Sequence, residues 1–485
     1  MVAPWPRLVS RVTIEDVKLS VLLCVPILVA GMAAGSTAQT ASPQERDTEH
    51  VWLAGTRPTD HPSAAVFPTR AEPALTSSQA LSVERSFPGL SSSDTTGDPP
   101  DPVIGAGAGF VVQIVNSAVR VWTDDGIARA DYPLASFAES SSADVSDPRV
   151  VFDPDSGRWF ASVVDVARAT VQLAVSETSD PTGPWAVYSH ATGSCPDQPS
   201  LGVGRDLVVV GYTAYSLPCR SDTSSYLGGA LFAWDKQQLL DGLAPEAADW
   251  GPRLDFSPVT AVGPGGAAIA VALVTPTPTG GPTYLEILSG RPPGLTITQL
   301  PVDPFTPPPE AEQAGTTRQI ETNDERILSA VVVGRTLWLA GNEGCVPPRD
   351  QHVHSCLRVI AVTRNRITLD TDLGSKGQDF FYPALAPVGT GDVVVVYGTS
   401  SRTTYPGLAA LALTPAGRQT RAIAVAHGTG PMLSDRFGDY FGAAVDAGGR
   451  VWVTGETGAP SGWATTVASI AAAAHRASTP VDSGS

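Results

Sequence analysis

The chain has 485 residues, of which 42% are hydrophobic and only 16% are charged, so it is long enough to bury a large core. Its formal net charge of −17 argues against binding to the phosphate backbone of a nucleic acid and against adhesion to anionic lipid. The 47 glycines and 43 prolines predict many turns and few long helices, which is typical of an all-β chain of short strands.

The first 38 residues predict a signal peptide or a membrane anchor. Basic residues precede an apolar run over residues 19–35, and Ser36 and Ala38 follow as small residues before a cleavage site. This order is typical of secretory signal peptides, whereas the run is short for a membrane span and contains Pro26. We therefore expect a secreted protein, extracellular or in the cell envelope.

The next segment, residues 39–79, is rich in Ser, Thr, Pro and Ala and predicts a disordered linker. Residues 80–471 predict the folded domain, and residues 472–485 predict a flexible tail.

Four cysteines follow the apolar run: Cys195, Cys219, Cys345 and Cys356. An even number in an exported chain predicts two disulfides, and proximity along the chain favours Cys195–Cys219 and Cys345–Cys356. The alternative is a zinc site, but the spacings are not C-x-x-C.

One unit recurs seven times after residue 100. Each copy has a polar or aromatic lead, a short apolar strand, a turn with Gly or Asp, and a second apolar strand. The anchors of the copies are Pro102, Pro148, Pro199, Pro258, Arg326, Pro383 and Tyr440. Their mean spacing is roughly 56 residues, in the range of radially repeated sheets.

The repeat predicts a seven-bladed β-propeller. A single small sheet cannot bury both of its faces, whereas a ring of sheets buries them against one another. The last copy lacks an outer strand, and we expect Ala80–Phe87 to supply it and close the ring. A tandem of two β-sandwiches is the alternative, but it does not explain a single repeating period.

The stretch Ser146–Phe160, SDPRVVFDPDSGRWF, contains three aspartates and a tight turn. Asp153 and Asp155 fit a hairpin turn because Asx side chains bond nearby backbone N–H groups, and Gly157 supplies a positive φ. The alternative is a calcium loop, but the ligand density is too low for calcium.

Three stretches together resemble secreted bacterial β-propellers of the sialidase-like, Asp-box (BNR) type: Ser146–Phe160, Glu177–Tyr188 and Asp435–Val453. The Asp-box pattern S-x-D-x-G-x-x-W is degenerate in both of its copies here, at residues 153–159 and 446–452. The resemblance implies the propeller fold. Sialidases in this superfamily use three arginines, a Tyr–Glu pair and an Asp, and begin with an R-I-P-like motif that this sequence lacks.

The starts of the innermost strands predict the ligand site, because they lie near the central channel of a propeller. The residues that we expect at this rim are Asp101, Asp147, Asp197, Asp324, Tyr382, Arg436, Asp439 and Tyr440. Carboxylates crowded at a pore either gain a raised pKa or recruit a cation such as calcium or a basic ligand group. The alternative is that each aspartate caps its own strand turn. No cofactor is expected, although calcium is possible.

His352 and His354 alternate along a predicted strand and could share a metal, although a polar hairpin tip explains them as well. The sequence favours a monomeric, non-catalytic binding scaffold whose partner is an extracellular protein or glycan. The alternative is a glycan-active hydrolase of the sialidase-like superfamily.

Overall fold

The computed structural model describes residues 74–75, 81–220, 223–253, 256–261, 266, 269–274, 283–389, 391–434 and 436–472. The predicted targeting segment lies outside these residues, as does nearly all of the predicted linker and tail. Among the described residues, no helix has the length and hydrophobicity needed to cross a bilayer.

The strands of the first half are grouped in chain order. Two strands precede the ring: β1 (Ala74–Leu75) and β2 (Leu81–Ser91). Blade 1 contains β3 (Val103–Gly107), β4 (Phe110–Val115), β5 (Ala118–Thr123) and β6 (Ala128–Pro133), followed by helix α1 (Leu134–Phe137). Blade 2 contains β7 (Val145–Asp153), β8 (Arg158–Asp165), a 3₁₀ helix (Val166–Arg168), β9 (Thr170–Ser176) and β10 (Trp185–Ala191). Blade 3 contains β11 (Cys195–Val203), β12 (Leu207–Tyr215), β13 (Tyr226–Asp235), helix α2 (Lys236–Leu240) and β14 (Ala248–Arg253).

The second half continues the same order. Blade 4 contains β15 (Phe256–Ala261), β16 (Ile269–Val274), β17 (Thr283–Ser289) and β18 (Thr296–Val302). Blade 5 contains β19 (Ile327–Val333), β20 (Thr336–Cys345), β21 (His354–Thr363) and β22 (Arg366–Leu373). Blade 6 contains β23 (Asp379–Val388), β24 (Asp392–Ser401), β25 (Thr404–Leu413), β26 (Arg418–Gln419) and β27 (Ile423–Ala426). Blade 7 contains β28 (Gly442–Val445), β29 (Val451–Gly458) and β30 (Trp463–Ala472).

The blades form a closed ring, which confirms the predicted seven-bladed propeller. Within each blade, consecutive strands pair antiparallel, except that β27 pairs with β25 and not with β26, and the described residues form seven such sheets. The innermost strands contact one another in the order β3, β7, β11, β15, β19, β23 and β28, and β28 contacts β3 again. Two separate sandwich cores would not produce this circular order.

The chain closes the ring with its first long strand. Strand β2 pairs antiparallel with β30 and becomes the outer strand of blade 7, as the sequence predicted for Ala80–Phe87. Phe87 extends this contact into blade 1, because its ring lies 5.5 Å from that of Trp122 and 6.4 Å from that of Trp452. Closure is therefore stabilised both by strand pairing and by aromatic packing.

The segment predicted as a linker contains one short strand. Strand β1, within residues 39–79, pairs in parallel with β26 at the outer edge of blade 6. An outer edge presents unpaired backbone groups, and two residues of extended chain satisfy some of them.

The core lies between the blades rather than at a single centre. Apolar side chains of neighbouring sheets form clusters, in which large rings such as Trp159, Trp338 and Trp452 are fully buried. Both predicted disulfides are present, Cys195–Cys219 and Cys345–Cys356. The first ties the loop after β12 to the start of β11.

The turn after β7 is a hairpin. Asp153 accepts a hydrogen bond from the N–H of Ser156 at 3.0 Å, and Gly157 has a φ of 68°. The Asp153 carboxylate also lies 2.6 Å from the ammonium group of Lys236, and both side chains are buried. The aspartate therefore joins blade 2 to blade 3, in agreement with a structural role rather than a calcium loop.

Candidate functional site

The innermost strands all begin at the same end of the channel, which we call the mouth. A left-handed residue recurs there, with φ between 46° and 61°: Asp101, Asp147, Gln198, Asn323 and Tyr382. Asp and Asn tolerate this conformation better than most residues. Asp197 and Asp324, which we predicted at this position, are each one residue away from it.

Asn116 holds two of these strand starts together. Its Nδ2 donates to the carbonyl of Pro99 at 2.8 Å and to Oδ2 of Asp101 at 2.7 Å, and its Oδ1 accepts from the N–H of Asp147 at 2.8 Å. Asn342 makes the same type of bridge from the N–H of Tyr382 to the carbonyl of Thr322. Neither asparagine was predicted as a site residue. Both end the apolar run of the second strand of a blade, and this shared position is the signal that could have identified them.

Three of the predicted carboxylates converge, and we call them the acidic floor: Asp101, Asp147 and Asp439. Each offers an oxygen that lies within 4.8 Å of the others, and exposures of 2%, 6% and 6% show that all three are buried. The blade repeat explains this convergence, since each residue starts or immediately precedes an innermost strand.

The floor carboxylates accept hydrogen bonds from the protein. Asp101 accepts from the N–H of Asp439 at 2.6 Å, and Asp147 accepts from the hydroxyls of Tyr440 at 3.3 Å and Ser146 at 3.1 Å. Arg436 reaches both oxygens of Asp439, at 2.5 and 2.6 Å. A calcium ion would have to displace these donors, including a cation, so the arrangement does not fit calcium.

Crowding and burial change the proton affinity of the site. Burial, followed by the charges of Asp439 and Asp147, raises the pKa of Asp101 well above its usual range. Burial and the charge of Asp147 raise the pKa of the half-buried Asp197 to about 7, against the opposing charge of Arg326. The site therefore binds protons near neutral pH.

Side chains from distant blades meet across the mouth. Asp439 of blade 7 accepts from Gln198 of blade 3 at 3.2 Å and from Asn323 before blade 5 at 3.4 Å. Arg326 donates to Gln198 and forms an ion pair with Asp324 at 2.6 Å. Because these blades are not neighbours in the ring, the contacts between them must cross the channel. They form a polar plug.

Two of the predicted rim residues are tyrosines with different surroundings. The hydroxyl of Tyr382 donates to the carbonyl of Glu321 at 2.8 Å, under the long connection before blade 5. Tyr440 carries the guanidinium of Arg149 on its ring, with Cζ 3.4 Å from the ring centroid. Burial raises the pKa of both hydroxyls well above the usual value.

The ion pair with Arg326 sets the state of Asp324. Burial would raise its pKa, but the charge of Arg326 and the hydrogen bonds from it outweigh burial and lower the pKa. The structure thus brings Asp197, Asp324 and Arg436 around the acidic floor, together with Arg326, the anchor of the fifth copy. Gln198, Asn323 and Arg149 join them, and for these the sequence indicated no shared position.

The two histidines of the predicted metal pair separate. His352 is exposed, whereas His354 is buried with Nδ1 3.1 Å from Asp379 and Nε2 3.3 Å from Asp350. Both ring nitrogens of His354 face a carboxylate, so the pair presents no shared metal position. The polar hairpin tip is the interpretation that agrees with this geometry.

The mouth end also carries exposed apolar side chains. Of the nine exposed large hydrophobic residues in the described part of the chain, five lie on loops or strand ends at the mouth: Leu217, Tyr226, Val346, Tyr405 and Leu433. Tyr226 packs edge-on against Tyr215, with ring centroids 5.8 Å apart. The other four, Val83, Ile127, Leu243 and Ile297, lie away from the mouth, so exposed apolar side chains are not confined to one end of the described ring.

No family model matches the sequence, and no curated protein matches it. Among solved structures, a protein of unknown function from Dyadobacter fermentans is 12% identical and has a TM-score of 0.41, with 80% of this chain and 98% of that chain covered. The β-propeller domain of the Trilobed protease from Pyrococcus furiosus is 8% identical, with a TM-score of 0.40 and coverage of 74% and 91%.

The sialidase of Trypanosoma rangeli is 11% identical and has a TM-score of 0.32, with 82% of this chain and 59% of that chain covered. Likenesses at this level do not bear on activity.

Proposed function

We propose that the chain is an exported, non-catalytic binding scaffold whose mouth binds a cationic group of an extracellular protein. The observation that carries the proposal is the plug. The floor carboxylates are buried and hydrogen bonded, which leaves no free carboxylate pair for general acid and base catalysis. The cation is expected to meet the half-buried Asp197, which ionises as the pH rises through about 7.

The surroundings of the mouth support a protein partner. The half-buried Asp197 offers a carboxylate, and Tyr226, which is 37% exposed, lies on the disulfide-anchored side of the same blade. Tyrosine rings bind ammonium and guanidinium groups by cation–π interaction and are enriched in the centres of protein interfaces. A lysine or arginine flanked by apolar residues matches this combination.

Two peptides of equal length test the proposal, one that alternates Lys with Leu and one that alternates Glu with Leu. Calorimetric titration of the full chain should detect binding of the lysine peptide only, stronger at pH 8 than at pH 6 because Asp197 ionises in that range. Asp197→Asn and Tyr226→Ala should each weaken binding about tenfold. Ile127→Ala, an exposed apolar residue at the opposite end of the ring, is the matched control. Equal binding of both peptides, or of neither, would contradict the proposal.

A glycan-active hydrolase is the second candidate. The hydrogen bond from the Tyr440 hydroxyl to Asp147 favours it, because a tyrosine with a carboxylate partner is the nucleophile arrangement of the sialidase-like superfamily. A panel of chromogenic glycosides separates the two candidates. If the natural chain hydrolyses a glycoside and both Asp147→Asn and Asp439→Asn lose this activity, the hydrolase is the correct function and the scaffold proposal is wrong.

A further inference from the structure

The channel beneath the plug contains a cavity of about 230 Å³. All seven innermost strands or their leading residues contribute to its wall, which is mostly apolar. Representative wall residues are Val103, Leu201, Val259, Leu328, Leu385 and Phe441. An apolar cavity of about 150 Å³ is large enough for benzene, so this cavity has room for a somewhat larger molecule.

One cationic side chain lines this wall among the described residues, and it is Arg149. Its Nε donates to the carbonyl of Pro199 at 2.7 Å, and its guanidinium lies flat on the ring of Tyr440. These two contacts fix the plane of the group. The two terminal nitrogens have no hydrogen-bond acceptor in the part of the chain that the structure describes, so their N–H groups are available to a ligand.

The acidic floor does not face the cavity. Tyr440 lines the wall, and its hydroxyl is bonded to Asp147 on the far side of the ring, whereas none of the described residues that line the cavity is acidic. A ligand in the cavity therefore meets a mostly apolar wall, which includes Ser200, Thr260 and Ser329, and one guanidinium. A planar guanidinium fork matches the two oxygens of a carboxylate.

We propose that the channel binds a small organic carboxylate with a compact apolar body, its carboxylate on Arg149 and its body against the apolar wall. This site is distinct from the cation-binding mouth, because the plug of Gln198, Asn323 and Asp439 lies across the mouth. The ligand therefore enters from the opposite end of the channel, where the first hairpin of each blade turns.

Three ligands of nearly equal size test the site: benzoate, benzyl alcohol and benzylammonium. Calorimetric titration of the full chain should show benzoate binding at least about tenfold more tightly than benzyl alcohol, and benzylammonium binding most weakly. Benzoate that binds no more tightly than benzyl alcohol would overturn the proposal, because the guanidinium would then contribute nothing.

Two variants locate the binding. Arg149→Met removes the charge with little loss of volume and should reduce benzoate affinity about tenfold while benzyl alcohol is unchanged. Ala443→Leu fills the cavity with Arg149 intact and should weaken benzoate and benzyl alcohol alike. The matched control is Arg129→Met on the exposed outer strand of blade 1, which should change neither affinity.

If Ala443→Leu binds benzoate with full affinity, the ligand lies elsewhere and the proposal is wrong. Full benzoate affinity in a folded Arg149→Met would also overturn it. Circular dichroism checks that each variant is folded. If Arg149→Met does not fold, the three-ligand comparison and Ala443→Leu still decide. The peptide titration at the mouth uses different residues, so each proposal can fail alone.

Discussion

The two ends of strand β7 carry aspartates with opposite electrostatic surroundings. Asp153 ends the strand and lies 2.6 Å from the buried ammonium of Lys236, so its charge is matched. Among the described residues, the Asp147 carboxylate near the start accepts hydrogen bonds only from the hydroxyls of Tyr440 and Ser146, and it shares its surroundings with two further carboxylates. Both aspartates are buried, and both belong to one short run of sequence.

This difference separates a structural carboxylate from a candidate site. A buried charge with its own counterion holds two blades together and has no affinity left for a ligand. Buried carboxylates that outnumber their nearby cations keep a field that attracts protons and cations, at a cost to the stability of the ring. The predictions below test whether the two ends differ in this way.

The largest effect on the free energy of unfolding is expected at Asp153, whose charge is paired with that of Lys236. Asp153→Asn leaves Lys236 buried without its counterion and should lower the free energy of unfolding by about 3–5 kcal/mol, measured by chemical denaturation. Asp155→Asn changes an exposed aspartate of the same turn and serves as the control. Equal stabilities for the two variants would show that the ion pair contributes nothing.

The next effect concerns the asparagine bridges. Asn116→Ala removes three hydrogen bonds between buried groups and should cost about 2 kcal/mol, and Asn342→Ala should cost a similar amount. Of the two asparagines, only Asn116 donates a hydrogen bond to Asp101, so only Asn116→Ala should also change the pH dependence of unfolding. A change of pH dependence in both variants would mean that the bridges do not differ in this respect.

A smaller effect is expected from the pH dependence of unfolding. Asp197 has a pKa of about 7 in the folded chain and a lower one when unfolded, so the folded state holds a proton that the unfolded state has lost. Its contribution to stability is full at pH values below the unfolded pKa and is lost as the pH rises through 7. Asp197→Asn should flatten the fall in stability between about pH 4 and pH 8, as denaturation series at each pH would show. An unchanged slope would place the titrating proton elsewhere.

The smallest effect on the free energy of unfolding is expected at Asp147, where three carboxylates lie close together. Asp147→Asn should change the free energy of unfolding by less than about 1 kcal/mol, since the asparagine oxygen can accept from Tyr440 while its amide donates to Ser146. Loss of one negative charge also relieves repulsion from Asp101 and Asp439. A loss as large as that of Asp153→Asn would remove the contrast between the two ends of β7.

Most of the fold could be predicted from the sequence because its unit repeats. The turn residues and apolar runs of each blade are local signals, and seven copies of them indicate a ring even where one copy is degenerate. The closing strand was also predictable, since the last copy lacks an outer strand and Ala80–Phe87 supplies a suitable apolar alternation.

The site could be predicted only in part from the sequence. Asp101, Asp147 and Asp439 follow from their place at the strand starts, but the third blade presents Gln198, the residue directly before Pro199, at the left-handed position instead of Asp197. Four of the five left-handed residues, Asp101, Asp147, Gln198 and Tyr382, directly precede a proline, so the proline was the better marker of register. The contact between Arg149 and Tyr440 joins blades 2 and 7, and no local pattern encodes a contact across the ring.

The pairing of β2 with β30 has a consequence for how the chain is made. The strand that completes blade 7 is synthesised before any blade, and its partner is the last strand of the ring to be synthesised. Until Trp463–Ala472 emerges, Leu81–Ser91 has no partner, and the ring cannot lock. The ring therefore closes only when both strands are present, and a fragment that lacks one of them would expose an open sheet edge prone to pair with another molecule.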